Sequence, residues 1–302
     1  MSAPIIAAYD PYTEDRAPVE LALAAAGITG ARVIAVAVYP WGFSEGWSEP
    51  YPDPAFDARV DEAINRLHVD FEVEARVVKD VSVPAALHRL ARDLEAGLIV
   101  VGSTGRGPAG RVLTGSTAQR LLHGAPCPIA LAPSGYSATP LKTIAVGYVD
   151  SSEGRAALRA AHLLAKLAGA RLRVIAALHP SGGLDAALAG AMKPERGSQL
   201  QGHHRGEIDA ALHRALDALE PGVETVPELH VDDPADVLLR ISRNVDLIVC
   251  GSRGYGPLRS VLLGGVSRRL VDESSCPVLV LPRENPKPLE DLVALSGATA
   301  PA

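Results

Sequence analysis

The segment LIVVGSTGRG at 98–107 returns as LIVCGSRGYG at 247–256, and APCPIALAP at 125–133 returns as SSCPVLVLP at 274–282. The beginnings match as well: IIAAYDPYTEDRAPVELALAAA from residue 5 has a counterpart in TIAVGYVDSSEGRAALRAAHLLAKLAG from residue 143. A repeat of this length is too long for a solenoid unit, so each copy must bury its own core. The 302 residues suffice for about two domains of ordinary size. The join falls near APSGYSATPLKT, residues 132–143, rich in turn-forming residues. The expected domains are therefore 1–135 and 141–283, with 284–302 a Pro- and Ala-rich flexible tail.

Within each copy, short apolar runs alternate with helical stretches. In the first, strands are expected at 4–9, 32–38, 71–78, 97–101 and 128–132, and helices at about 16–27, 56–68, from Pro84, and 116–123. In the second, strands are expected at 143–148, 171–178, 223–230, 246–250 and 277–281, and helices at 153–168, 206–219, 234–244 and 266–273. The run GLIVV at 97–101 is apolar throughout, as a strand covered on both faces must be. Strands alternating with helices at this spacing indicate an α/β fold with a mostly parallel sheet. The copies diverge between the second strand and the next helix. YPWGFSEGWSEPYPDP holds Trp41, Phe43 and Trp47, which suit packing on something, whereas HPSGGLDAALAGAMKPERGSQLQGHHRG reads as an exposed linker.

Composition narrows the function. Apolar residues make up 47% and charged residues 21%, enough to build a core. A formal charge of −6 does not suit a general nucleic-acid binder. No apolar run reaches the length of a membrane span, and MSAPIIAAYD has no basic leader, so a cytoplasmic protein is expected. Cys127, Cys250 and Cys276 are too few and too scattered for a disulfide scaffold. His203 and His204 have no Cys or third His nearby in sequence, so an exposed linker is read there and no metal site is expected.

The glycine-rich stretches are the candidate sites. In an open parallel sheet, ligands bind beyond the carboxyl ends of the strands, where strand order reverses. Gly102 and Gly105 permit a tight turn after the strand; Gly115 and Ser116 then open a helix whose unpaired N–H groups attract anions. The second copy places Gly251, Gly254, Gly264 and Gly265 in the same order. No Gly-Lys-Ser/Thr follows, so this is not a P-loop, and the glycines come too late in the domain for a dinucleotide fingerprint. A tight turn without ligand would also account for them. Asp10 and Asp150, at the ends of the first strands, can accept hydrogen bonds from an amine or a hydroxyl, or cap the following helix. Arg106, Arg111, Arg253 and Arg259 could meet phosphates, although such loop arginines are more often solvated.

Gly-x2-Gly-x9-Gly-Ser, the early Asp, the Pro-Ala run after the third strand and the Cys-Pro before the fifth resemble the universal stress protein family, in its tandem, nucleotide-binding, actinobacterial-like form. The resemblance covers about 1–133 and 141–282. It implies two Rossmann-like domains of the adenine nucleotide alpha hydrolase-like type, each with a five-stranded parallel sheet of order 3-2-1-4-5. It implies ATP, with Mg²⁺ as an accompanying ion, at the carboxyl ends of strands 1 and 4. Asp10 would then meet the adenine or ribose, Val38 and Val78 would line the base pocket, and Gly102, Gly105, Gly115 and Ser116 would hold ribose and phosphates. In the second copy the implied set is Asp150, Leu178, Leu229 or His230, Gly251, Gly254, Gly264 and Gly265, with Ser267 a further hydroxyl where the first copy has Ala118. The two domains are expected to pair through their last strands as an intrachain pseudo-dimer, and two chains to associate as a homodimer.

One departure stands out: Gly265 replaces the serine of the motif. Losing one neutral hydrogen bond costs about 0.5–1.5 kcal/mol, so both copies are expected to bind and the first more tightly. VGYVD is also one residue longer before its acid than the simplest pattern, which displaces Asp150. No catalytic residue is expected. The sequence offers no carboxylate pair or general base beyond Asp10 and Asp150, so slow ATP hydrolysis is the most that it suggests. The expected function is an ATP-binding regulator of the stress response acting on a downstream protein; the alternatives are a nucleotide-free interaction protein and a weak ATP hydrolase.

Overall fold

The computed structural model describes residues 3–11, 13, 15–40, 58, 62–63, 65–66, 73–102, 116–179, 194–252 and 264–282. The chain divides into two compact units between Pro140 and Leu141. Of the expected helix at 56–68, Ala58, Glu62, Ala63, Asn65 and Arg66 are described and helical. The aromatic loop after Pro40 and the tail from 284 lie outside the described residues.

The first unit contains strands β1 (Ile5–Ala8), β2 (Val33–Pro40), β3 (Glu74–Asp80), β4 (Leu98–Gly102) and β5 (Ile129–Ala132). All its pairings are parallel: β3 on β2, β2 on β1, β1 on β4 and β4 on β5. Strand order is therefore 3-2-1-4-5. Helices α1 (Ala17–Thr29), α2 (Val83–Asp93) and α3 (Ser116–Leu122) lie between strands. Leu98 to Val101 are buried, as expected of a strand covered on both faces.

The second unit repeats the order with β6 (Thr143–Gly147), β7 (Arg171–Leu178), β8 (Thr225–Val231), β9 (Leu247–Gly251) and β10 (Val278–Leu281). Its parallel ladder runs β8, β7, β6, β9, β10. Its helices are α4 (Ser152–Ala168), α5 (Pro194–Asp217), α6 (Pro234–Ile241) and α7 (Gly265–Glu273). The first strand is clamped at its start by Asp246, whose Oδ2 accepts the Lys142 and Thr143 N–H groups at 2.8 Å each.

Helix α5 corrects the sequence reading. It begins at Pro194, well before the expected 206, so His203 and His204 are helical and not in a linker. Proline suits a first helical position, and Glu195, Arg196, Gln199, Leu200 and Gln201 favour helix strongly enough to carry Gly197 and Gly202.

Candidate functional site

In each sheet the connections leave the central pair, β1 and β4 or β6 and β9, in opposite directions. That leaves a crevice at their carboxyl ends. In the first unit, Tyr9 continues the ladder by donating its N–H to the Val36 carbonyl at 2.9 Å. Asp10 then leaves the sheet, exposed, at the rim. Thr13 folds the chain back, its N–H and its hydroxyl both donating to the Asp10 carbonyl at 3.3 Å. The Asp15 carboxylate accepts the Ala17 N–H at 3.0 Å at the start of α1, where Pro18 needs no N–H partner.

Gly102 ends β4 against this helix. A β-carbon there would lie 3.1 Å from Pro18 Cγ and 3.9 Å from Asp15 Oδ2. Close approach of strand and helix is what requires glycine here, since its φ is not among the positive ones. Gly105 and Gly115 lie outside the described residues, and Ser116 is the first residue of α3. Val38 and Val78 are register partners on β2 and β3, both half-buried.

In the second unit the two ends of the glycine-rich segment are bonded to each other. Gly264 donates its N–H to the Ser252 carbonyl at 2.8 Å, and Ser267 donates its hydroxyl to the Gly251 carbonyl at 2.7 Å. Together these bonds fold the N-terminus of α7 back onto the end of β9. Gly264 is the N-cap, with no side-chain cap bond among the described residues, and Gly265 opens the helix, exposed. The first N–H groups of a helix have no carbonyl within the helix to receive them, so this end presents donors at the crevice. Ser267 is 4% exposed and its one proton is engaged by Gly251, so it latches the loop and does not donate to a ligand in this arrangement. Gly254 lies outside the described residues.

Sheet register fixes the correspondences between copies. Ile5 pairs with Leu98 as Ile144 pairs with Leu247, and Ala8 pairs with Val36 as Gly147 pairs with Ile175. Tyr148 bonds Ile175 as Tyr9 bonds Val36. The residue after each tyrosine is Asp10 in one unit and Val149 in the other, so Asp150 stands one place further on. Its carboxylate pairs with Arg155 Nη1 at 2.6 Å and accepts the Tyr148 hydroxyl at 3.4 Å. The counterpart of Val38 is Ala177, not Leu178, and of the two residues offered for Val78, Leu229 or His230, it is His230.

His230 belongs to a polar cluster. Its Nε2 lies 3.1 Å from Glu228 Oε2, and Glu228 is held in a fork by Arg173 Nε and Nη2 at 2.6 and 3.0 Å. The Arg173 bonds hold the Glu228 carboxyl below the usual carboxylate range despite its partial burial. An ionised Glu228 only accepts, so the imidazole nitrogen facing it carries the proton.

All three cysteines are free and buried. Burial pushes the thiols of Cys250 and Cys276 up to about 12, which suits packing and not redox chemistry. Among the described residues no group of three His, Cys, Asp or Glu is arranged to hold a metal ion, and no helix is long and apolar enough to cross a membrane.

Comparison with known proteins covers both units. The family model described as "Universal stress protein family" matches residues 1–133 and again 140–282. A universal stress protein of Mycobacterium tuberculosis (strain H37Rv) is 28% identical over 241 residues, which are 72% of this chain and 75% of the relative. One from Thermus aquaticus is 31% identical over 154 residues, 46% of this chain and 98% of that protein. Among solved structures, a universal stress protein described as putative, from Pseudomonas aeruginosa, superposes with a TM-score of 0.64 at 17% identity, covering 97% of this chain and 96% of its own. Another from Archaeoglobus fulgidus gives 0.60 at 18% identity, covering 94% and 100%. At these identities the structural likeness speaks for the fold alone.

Proposed function

The chain belongs to the universal stress protein family, and from that premise we propose that it is a regulatory protein that binds an adenine nucleotide, ATP foremost, at the carboxyl ends of the first and fourth strands of a unit. The observation that carries this reading is the pair of bonds that tie the start of α7 to the end of β9. Gly264 on Ser252 and Ser267 on Gly251 hold the start of α7 at the carboxyl end of β9, the strand paired with β6. A helix start aimed at a switch point suits phosphates. In the first unit Gly102 sits tightly against Pro18 at the matching strand end, with Asp10 at the rim to meet the base or ribose.

The donors fit a nucleotide in kind: backbone N–H groups for phosphates and carboxylate oxygen for an exocyclic amine or a ribose hydroxyl. Mg²⁺ would arrive with the phosphates and neutralise part of their charge. The role is read as stress-linked signalling through a partner protein, with occupancy as the signal and turnover slow at most. Calorimetric titration of the full chain with ATP, ADP and AMP tests the reading. Saturable binding that weakens as phosphates are removed is the expected result. Absence of binding by all three at millimolar concentration would overturn it.

A further inference from the structure

We propose that the two nucleotide sites are unequal by construction, so that the chain holds one tight site, in the first unit, and one site at least tenfold weaker, in the second. The inference rests on the nucleotide reading above and gives the ranking of the two halves a ground separate from Ser116 and Gly265, the turn that follows the first strand of each unit.

The difference starts at the turn from the first strand into the first helix. The same number of residues separates Ala8 from Gly30 and Gly147 from Gly169, and both glycines are left-handed C-caps. Position by position, Asp15 therefore answers to Gly154, Arg16 to Arg155 and Pro18 to Ala157. Yet α4 starts at Ser152, capped by Ser151, whose Oγ accepts the Gly154 N–H at 3.0 Å, whereas α1 starts only at Ala17. Ser152, Gly154 and Arg155 are helical, whereas Thr13, Asp15 and Arg16 at the matching places are not.

Gly154 permits this. A β-carbon at 154 would overlap the Val149 carbonyl, so only glycine tolerates so abrupt a turn. Asp15 has a β-carbon, and Pro18 would lose an interior hydrogen bond in a helix begun earlier. The first unit cannot make the turn of the second, and its loop leaves Asp10 at the rim.

Two consequences fall on the second site. Val149 takes the register place of Asp10, and the carboxylate of the next residue, Asp150, pairs with Arg155 and accepts the Tyr148 hydroxyl one place further along. At the place of Val78 stands His230, anchored to the Glu228–Arg173 pair, so an apolar wall becomes a polar one. At the register place of Asp10 a base would meet Val149, a side chain without an acceptor, where the first unit has a carboxylate.

Calorimetric titration of the full chain with ATP, repeated with Asp10→Asn and with Val149→Asp, tests the assignment. The expected result is two phases, or one equivalent followed by a weak tail, with Asp10→Asn removing the tight phase and leaving the weak one. Val149→Asp is expected to strengthen the weak phase. Two equal sites, or a tight phase that survives Asp10→Asn, would overturn the inequality and leave the nucleotide reading standing. No ATP binding by the unmodified chain would sink both. Asp10 is exposed, and thermal melting of both variants separates a binding effect from misfolding.

Discussion

The carbonyl of Val149 occupies the space into which a β-carbon on Gly154 would project. Glycine at this helical position usually costs stability, and Gly→Ala usually recovers about 0.5–1 kcal/mol. Here the sign reverses. Gly154→Ala is expected to destabilise the chain by about 1–3 kcal/mol, the range for a forced backbone shift in a packed region. Urea unfolding checks this; a rise in midpoint would mean that the turn relaxes freely.

Ser267→Ala removes the buried latch between α7 and the end of β9. The loss leaves the Gly251 carbonyl without this donor, which costs about 1 kcal/mol. The first unit carries Ala118 in the matching position, buried to the same degree, so the change is expected to be tolerated without loss of fold. Hydrogen exchange should report faster opening at the start of α7, and an unchanged pattern there would count against the latch.

Gly265→Ser restores the serine of the first copy. A β-carbon at Gly265 meets no heavy atom within 4 Å, so the side chain enters without displacing a neighbour. The expected outcome is slightly higher stability, since glycine within a helix is unfavourable by about 0.5–1 kcal/mol. A second-site affinity for ATP up to about tenfold higher is also expected. Weaker binding would show that serine obstructs the phosphates.

Burial lowers His88 below its ordinary value of 6.5, while its Nε2–H donates to the Leu121 carbonyl at 2.7 Å between α2 and α3. The unfolded chain therefore takes up the proton more readily than the folded one. This contribution to stability is complete above about pH 6.5 and is lost as pH falls through that value toward the folded pKa. Thermal melts should fall between about pH 7.5 and 5.5, less steeply for His88→Gln, whose amide keeps a donor. Equal slopes would place the sensitivity elsewhere.

The sheet was readable from sequence because strands buried on both faces need continuous apolar runs, and LIVV and LIVC supply them. Strand and helix punctuation repeated in order, which made the tandem architecture legible as well. The start of α5 was not, since glycines and histidines in a long connection look like linker until helix formers are weighed against them. The displacement of Asp150 by one place was legible in the extra residue of VGYVD, and the register of Tyr9 and Tyr148 agrees with it. The place of the acid is set by register, and the cues were Tyr9 with Tyr148 and Gly30 with Gly169, equally spaced in both copies. Gly154 carries no cue in the sequence, because a helical glycine acquires meaning only through the atom that faces it, here the Val149 carbonyl.

Asp246 holds the start of β6 from 104 and 103 residues further along the chain. During synthesis the first strand of the second unit therefore emerges long before β9 and the carboxylate that secure it. Until then β6 can pair only with β7, and its other edge waits open. A nascent second unit is thus obliged to protect an apolar strand for most of its own translation, the stage at which a ribosome-bound chaperone would matter most.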